Sequence, residues 1–327
     1  MREKLIYFRH YLHLWYPTEY NLINNRLLRT TLKFLSLPFF LLQNAKFLLP
    51  NHLAIRYMDL PITTRCSLKC AKCSNLMQYY DNPAHLNTES ILKSIETFFH
   101  YVDYVVQLNI LGGEPFMNTD LVKILKLLIS IDKVRRIVIL TNGTILPNSP
   151  ELLRVLANKS VEVRVSDYGR LSAKTNVLRA RFSKKGIALE VQKVSNWVDC
   201  GDLRKRGRNE IELKKQFASC NTQCRTYYRG QFHVCPRSAH GLDLCFIPVR
   251  NSEYIDLKDD GLGKAATQRA IRRLDRHMEY IVACDYCDKG TIMCGVIPPA
   301  EQVVSGLSRI ARSSQATAST MTDTQKS

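Results

Sequence analysis

From residue 57 onward, short β-rich runs alternate with longer stretches whose apolar residues recur at helical spacing. This alternation is typical of repeated βα units around a parallel sheet. The predicted strands are RYMDLPIT (56–63), YVVQLNIL (104–111), RRIVILT (135–141), VEVRV (161–165) and IALEVQK (187–193). The predicted helices are TESILKSIETFFH, NTDLVKILKLLIS, SPELLRVLAN and LSAKTNVLRARFSKK. With a sixth strand near residue 200, the pattern predicts an α/β fold, a partial (β/α)6 TIM-like barrel over residues 56–213.

The rhythm is different on both sides of this region. Residues 1–55 mix Leu, Phe, Tyr and basic residues at helical spacing and predict an N-terminal helical extension. Packing on the main domain, a dimer contact and peripheral membrane contact are the three roles open to it. Its most apolar run, Phe34–Leu42, contains Pro38 and is too short to cross a bilayer.

Residues 214–300 predict a smaller, cysteine-rich second domain. A hairpin is expected at TYYRGQFHVC, and a charged helix at ATQRAIRRLDRHMEYIVA that ends at CDYC. Residues 301–327 are rich in Ser and Thr towards their end and are predicted to form a disordered tail.

The charge balance favours anionic partners. The chain has 47 Lys and Arg against 29 Asp and Glu, a formal net charge of +18, which produces a positive field. Phosphorylated or nucleotide-linked small molecules, nucleic acid and an acidic membrane face are the candidates, beside a plain solvated basic surface. The densest basic run, residues 204–208, is predicted to lie in a loop.

The eleven cysteines are odd in number and clustered at 66/70/73, 220/224/235 and 284/287/294. This clustering favours metal binding in a reducing cytoplasm over disulfides, and the N-terminus lacks the pattern of a secretion signal. Cys66, Cys70 and Cys73 provide three thiolates and no fourth. A structural zinc site needs four protein ligands, whereas an iron–sulfur cluster held by three thiolates leaves one iron open.

Four short motifs follow successive predicted strands: CSLKCAKC (66–73), LGGEP (111–115), TNGT (141–144) and VSDYG (165–169). In this order they resemble the radical S-adenosylmethionine (radical SAM, AdoMet) enzymes over roughly residues 57–295. The resemblance implies that the first cysteine set binds a 4Fe-4S cluster whose open iron chelates AdoMet. One electron would then cleave AdoMet to methionine and a 5′-deoxyadenosyl radical. A reductant such as flavodoxin or ferredoxin is implied as a partner.

The resemblance also implies contacts to AdoMet. Gly112, Gly113, Glu114 and Pro115 correspond to the segment that holds its amino group, through a carboxylate or nearby carbonyl oxygens. Asn142 and Ser166 correspond to positions that contact its ribose and carboxylate. Many members of the family have an aromatic residue immediately before the third cysteine, where this chain has Lys72.

The spacing Cx9Gx4C over residues 220–235, followed by CxxC at 284–287, resembles the auxiliary-cluster extension called SPASM or its shorter form, twitch. The resemblance implies a second 4Fe-4S cluster on Cys220, Cys235, Cys284 and Cys287, with Cys224 as the alternative to Cys220. A four-cysteine zinc site is a second interpretation of the same residues. The auxiliary cluster would be either fully ligated, as an electron acceptor, or open to substrate.

Other polar residues are candidates for the substrate cavity. Cys200, Cys224, Cys245 and Cys294 are candidate hydrogen-atom donors, and Arg237 and His240 directly follow the ligand Cys235. A small polar substrate is the first hypothesis: a sugar, aminocyclitol or nucleotide-linked sugar that undergoes dehydrogenation or epimerisation. Peptide or protein modification is the second. A non-catalytic iron–sulfur protein that binds nucleic acid or a membrane surface is the third.

Overall fold

The computed structural model describes residues 52–220, 224–258 and 260–303. The predicted extension over residues 1–55 lies outside this part except for its last four residues, and tail residues 304–327 also lie outside it. Within the described residues, we find no helix that combines the length and apolar composition needed to span a bilayer.

The described residues form strands and helices that alternate in the barrel region. The strands are β1 (Ala54–Thr63), β2 (Tyr104–Gly112), β3 (Val134–Thr141), β4 (Val161–Asp167), β5 (Leu189–Lys193), β6 (Trp197–Val198), β7 (Arg225–Tyr228), β8 (Gln231–His233), β9 (Tyr254–Asp256) and β10 (Val296–Ile297). The helices are α1 (Thr88–Tyr101), α2 (Leu121–Ser130), α3 (Pro150–Leu156), α4 (Thr175–Lys185), α5 (Glu210–Ser219), α6 (Pro236–Asp243) and α7 (Gly263–Arg276).

The main sheet has the order β5-β4-β3-β2-β1-β7-β8-β9. Strands β1 to β5 and β7 are parallel, and β8 and β9 continue the sheet in antiparallel fashion. The first strand is buried over its last six residues, as expected for a parallel strand that is covered on both faces. The predicted α/β fold with a parallel sheet is confirmed, and it is consistent with a partial barrel.

The helices cover the sheet through apolar stripes. In α1, Ile91, Ile95, Phe98 and Phe99 are buried, a spacing that places them on one helical face. Asn87 caps this helix by accepting a hydrogen bond from Ser90 N at 2.9 Å. Because β1 to β5 are parallel, their carboxyl ends meet at one edge of the sheet, and all four motifs of the barrel region follow those ends.

The sixth strand predicted near residue 200 is wrong as a barrel strand. Strand β6 has two residues and pairs with β10 in a separate antiparallel sheet. The apolar run is too short to continue, because Asp199, Gly201 and Asp202 follow it at once. The sixth parallel strand of the main sheet is β7, which lies on the other side of β1.

The second half of the chain agrees only in part with the sequence pattern. The predicted hairpin is β7–β8, with Arg229 and Gly230 at positive φ in its two-residue turn. The charged helix α7 ends at Arg276 rather than at CDYC, and extended backbone at Ile281 precedes a separate 3-10 segment, Val282–Tyr286. Helices α5 and α6 were not predicted.

Helix α5 spans the predicted domain boundary after residue 213. It begins with a capping box, in which Asn209 accepts from Glu212 N at 3.1 Å and the Glu212 carboxylate accepts from Asn209 N at 2.9 Å. The first residues of the predicted disordered tail, 301–303, are ordered and pair with the CxxxCxxC loop. The backbone of residues 301 and 303 forms hydrogen bonds with the backbone of residues 71 and 69.

Candidate functional site

Cys66, Cys70 and Cys73 lie in the loop after β1 and line a cavity of about 410 Å³ at the carboxyl edge of the sheet. Burial raises the pKa of Cys66 to about 12 and that of Cys70 to about 11, and it also raises the pKa of Cys73. These thiols therefore stay protonated unless a metal displaces the proton.

Hydrogen-bond donors surround the three sulfur atoms. Asn142 Nδ2 donates to Cys66 Sγ at 3.6 Å, and Gln302 Nε2 donates to Cys70 Sγ at 3.5 Å. The backbone of the loop donates to Cys73 from residues 75–77. Donors aimed at sulfur suit thiolate ligands of an iron–sulfur cluster, so the residues present fit the group that the motif implies.

The GGEP loop packs directly against the backbone of the cysteine loop. Gly113 N donates to Thr63 O at 2.9 Å, and Glu114 N donates to Arg65 O at 2.8 Å. A Cβ at Gly113 would collide with the carbonyl group of Arg65, and Gly112 has φ +126°. The two glycines are therefore required for this close approach, and both line the cavity.

Glu114 is fully buried, and its carboxylate binds the neighbouring loop of the protein. It accepts hydrogen bonds from Thr141 Oγ1 at 2.8 Å, Asn142 N at 2.9 Å and Phe116 N at 3.1 Å. Burial raises its pKa to about 7, although these donors act in the opposite direction. Neither Glu114 nor Pro115 lines the cavity. Of the two contacts expected for the amino group of AdoMet, the carboxylate and the backbone carbonyls beside Gly112 and Gly113, the carbonyls are therefore the ones that the geometry favours.

Replacement of Glu114 by glutamine is expected to destabilise the fold by about 1–3 kcal/mol, because an amide N–H would face backbone N–H donors inside the protein. Urea unfolding of the iron-free protein at pH 8 measures this change. Glu151→Gln is the matched control, since Glu151 lies on the surface and pairs with Lys126. Equal stability of the Glu114 and Glu151 variants would contradict a stabilising role for the hydrogen bonds that the Glu114 carboxylate accepts.

Asn142 and Ser166 both line the cavity. The amide group of Asn142 donates to Ser67 Oγ at 3.0 Å as well as to Cys66, and it accepts from Thr144 N at 3.0 Å. Asp167 is not among the lining residues, and its carboxylate accepts from Gly169 N at 3.0 Å. Seven of the predicted cluster and AdoMet-contact positions therefore line one cavity: the three cysteines, Gly112, Gly113, Asn142 and Ser166.

Further residues line the same cavity, among them Tyr168 of the VSDYG motif and Trp197, which no motif indicated. Tyr168 and Trp197 meet edge to face, with ring centroids 5.6 Å apart. Lys72 also lines the cavity, and its ammonium group forms an ion pair with Asp199 at 3.1 Å. Aromatic surface is therefore present at the cavity although the position before Cys73 carries a lysine.

Cys200 and Lys289 also line the cavity. The hydrogen bond to Cys287 and burial raise the pKa of Cys200, and burial raises the pKa of Cys224 to about 12, while the Lys289 ammonium group acts in the opposite direction on both thiols. Within the described part of the chain, Lys289 makes no ion pair. Of the four cysteines proposed as hydrogen donors, Cys200 lines the cavity, whereas Cys245 is exposed. A cation and a thiol thus face the same space as the cysteine loop.

Four cysteines of the second set are mutual neighbours. Burial raises the pKa of Cys235 to about 11, and the thiols of Cys287 and Cys220 contribute to this rise. Cys284 has a raised pKa for the same reasons, with Cys235, Cys287 and Cys220 all contributing. Arg208 and Gln216 donate to the carbonyl oxygens of Cys284 and Cys287 at 2.7–3.1 Å, which fixes this loop against α5.

The remaining thiols of this region have other partners. Cys224 forms a hydrogen bond with Asp59, a barrel residue that also accepts from Asn109 Nδ2 at 2.8 Å. The Cys200 thiol donates to Cys287 and thereby lowers the pKa of Cys287. In the described part of the chain, no group of three or more His, Cys, Asp or Glu side chains is arranged to hold a metal ion.

Arg237 and His240 do not line the cavity, contrary to expectation. Arg237 is buried and donates to Tyr286 O at 2.8 Å and Gly201 O at 3.0 Å. His240 is fully buried and its Nδ1 lies 2.8 Å from Tyr80 Oη. Both residues lie on α6, which turns them into the protein and lets them connect the two cysteine regions.

Comparison with known proteins agrees with this geometry. Residues 60–167 match the model of the Radical SAM superfamily. This stretch of the chain is therefore similar to a radical SAM domain, in agreement with the resemblance of its motifs.

Curated relatives are named GTP 3′,8-cyclase. That of Petrotoga mobilis is 27% identical over 165 residues, covering 49% of this chain and 50% of the relative. That of Stenotrophomonas maltophilia is 28% identical over 236 residues, covering 71% and 64%. The chain spans half or less of the length of the first curated relatives that it matches.

Solved structures with a similar fold include native anSMEcpe with bound AdoMet. The TM-score is 0.47 at 12% identity, covering 69% of this chain and 82% of that one.

Proposed function

We propose that the protein is a radical SAM enzyme that reductively cleaves AdoMet and removes a hydrogen atom from a small polar, anionic substrate. The carrying observation is one cavity lined by the CxxxCxxC thiols, by the two glycines, and by Lys289 and Cys200. The cluster and AdoMet require the thiols and the glycines, and a substrate next to them would lie near Lys289 and Cys200.

The 4Fe-4S cluster, when bound, supplies the electron that cleaves AdoMet into methionine and a 5′-deoxyadenosyl radical. Cys66, Cys70 and Cys73 hold the cluster and leave one iron open. The backbone around Gly112 and Gly113 receives the amino group of AdoMet, and Asn142 and Ser166 contact its polar groups. Tyr168 and Trp197 cover the cavity with apolar surface, which keeps water from the radical.

The substrate side argues for a negatively charged small molecule. An ammonium group without an ion-pair partner in a cavity wall attracts phosphate or carboxylate groups, and the net charge of +18 acts in the same direction. A sugar phosphate, a phosphorylated aminocyclitol or a nucleotide-linked sugar satisfies this requirement. The curated relatives named GTP 3′,8-cyclase make GTP a further compound to test.

The second cysteine set lies beside this substrate position. We propose an auxiliary 4Fe-4S cluster on Cys220, Cys235, Cys284 and Cys287, in contact with the cavity wall through Cys200. That cluster, if bound, would supply a one-electron acceptor for a dehydrogenation. In an epimerisation the Cys200 thiol would instead give a hydrogen atom to the substrate, and the thiyl radical left behind would need one electron from the external reductant and one proton to return to the thiol.

The test is anaerobic reconstitution of the full chain with iron and sulfide, followed by an assay for 5′-deoxyadenosine under reduction. About eight irons per chain are expected for two clusters, with 5′-deoxyadenosine formed from AdoMet. A variant with alanine at all three cysteines of the first set is the negative control, and Cys245→Ala is the matched variant. No 5′-deoxyadenosine from a protein with about eight irons would overturn the proposal.

The substrate class is tested in the same assay. GTP, a nucleotide-linked sugar and an uncharged aminocyclitol are added separately, and each true substrate is expected to raise the rate of 5′-deoxyadenosine formation. Stimulation by the uncharged compound alone would contradict the role of Lys289. Deuterium from solvent appears in the product of an epimerisation through Cys200 and is absent after a simple dehydrogenation.

A further inference from the structure

A short segment near the end of the described chain crosses the cysteine loop. Glu301 O accepts from Ala71 N at 2.7 Å, and Val303 N donates to Lys69 O at 2.7 Å. Cys70 and Gln302 thus face each other across an antiparallel bridge. We call residues 300–303 the strap.

Gln302 directs its side chain at the loop that the strap crosses. Its Oε1 accepts from Lys69 N at 2.8 Å, and its Nε2 donates to Cys70 Sγ at 3.5 Å and to Ala300 O at 2.6 Å. The carboxamide is therefore held at both ends, with one N–H fixed on the sulfur atom. Ala300 is fully buried, at φ 56°, and anchors the start of the strap.

We propose that Gln302 is a positioning residue for the first cluster, whose amide N–H stabilises the Cys70 thiolate and makes the cluster easier to reduce. This inference rests on the proposed function, because it requires a cluster on the first cysteine set. Hydrogen bonds to the sulfur atoms of an iron–sulfur cluster are one determinant of its reduction potential. A donor favours the reduced form, since that form carries more negative charge.

The three thiols differ in where their donors originate. The donors to Cys73 are backbone N–H groups of its own loop, and the donor to Cys66 is the side chain of Asn142, which directly follows β3. The side-chain donor to Cys70 arrives from a segment far along the chain. A change at Gln302 therefore removes the side-chain donor to Cys70, together with the contacts to Lys69 N and Ala300 O, and leaves the loop sequence and the glycines unaltered.

The experiment compares Gln302→Leu and Gln302→Glu in the full-length reconstituted protein, with Glu301→Gln as the matched control. Glu301 is the adjacent strap residue and is exposed. The midpoint potential of the first cluster is measured by electron paramagnetic resonance during a redox titration. The signal of this cluster is the one that changes when AdoMet is added, because the open iron belongs to the first set.

Both Gln302 variants are expected to shift the midpoint potential to more negative values, and Glu301→Gln is expected to leave it unchanged. The expected size is about a tenfold lower ratio of reduced to oxidised cluster at fixed potential, equivalent to about 59 mV for one electron. Gln302→Glu is expected to shift further than Gln302→Leu, because its carboxylate places negative charge at the thiolate.

An unchanged potential in Gln302→Leu, at unchanged iron content, would overturn the inference. A wild-type protein with iron but without an AdoMet-responsive signal would overturn the proposed function and this inference with it. A second measurement covers variants that lose iron: alkylation of Cys70 in the iron-free protein, followed by mass spectrometry. Slower alkylation of Cys70 in Gln302→Leu than in Glu301→Gln supports the contact, because the thiolate is the reacting form and has lost its donor, and equal or faster alkylation contradicts it.

Discussion

Alanine at Gly113 is expected to lower 5′-deoxyadenosine formation by about 100-fold or more, the effect of a displacement of about 1 Å in a catalytic site. The added Cβ would collide with the carbonyl group of Arg65 and lie 2.9 Å from Cys66 N. All of these are backbone atoms, so no side chain can move aside. The cysteine loop itself must shift, and with it the first cluster ligand.

The measurement combines the 5′-deoxyadenosine assay with an iron count and circular dichroism. Gly295→Ala is the matched control, because a Cβ at Gly295 would meet nothing within 4 Å and its φ is not positive. Gly295 also lies close to the cavity wall, since its carbonyl accepts from Asp199 N at 2.9 Å. Equal activity of the two alanine variants would show that the GGEP loop does not need this close contact.

The parts of the site that the sequence predicted share one property: their signals are local. The three cysteines lie within eight residues of each other, and the glycines directly follow an apolar run. Parallel strands then bring the ends of successive runs to one edge. The confirmed α/β fold follows from the same alternation, so the fold and the motif residues that line the cavity were accessible from the chain alone.

The rest of the cavity lining was not accessible in this way. Cys200 and Lys289 lie in irregular segments and Trp197 in a two-residue strand, where no periodicity states which distant residues they meet. The sixth strand failed for a related reason, because Trp197 and Val198 pair with residues about 100 positions away. A capping box at Asn209 was a local signal that the sequence contained and that would have revealed α5.

Glu114 shows a further limit of the pattern. The motif identifies a carboxylate beside two glycines, but the structure gives that carboxylate three donors from its own fold. A sequence motif therefore marks a position that matters without stating whether the side chain or the backbone meets the ligand.

Serine at Cys220 is expected to halve the iron content of the reconstituted protein, from about eight to about four per chain, while serine at Cys224 leaves it near eight. The thiol of Cys220 contributes to the raised pKa of both Cys235 and Cys284. Cys224 instead hydrogen-bonds to Asp59. Cys235 also influences Cys224, but a thiol engaged by a buried carboxyl group is a poorer candidate for the fourth ligand than Cys220, which influences both Cys235 and Cys284.

Iron and zinc are measured together by mass spectrometry, with Cys245→Ser as the control for loss of an exposed cysteine. Because the first cluster uses other cysteines, both serine variants are expected to keep the AdoMet-responsive signal of that cluster. Loss of iron in Cys224→Ser with retention in Cys220→Ser would reverse the assignment of the fourth ligand. One zinc and about four irons per chain in the wild type would replace the auxiliary cluster by a four-cysteine zinc site, and an electron-accepting role for this set would then be excluded because zinc has no redox chemistry.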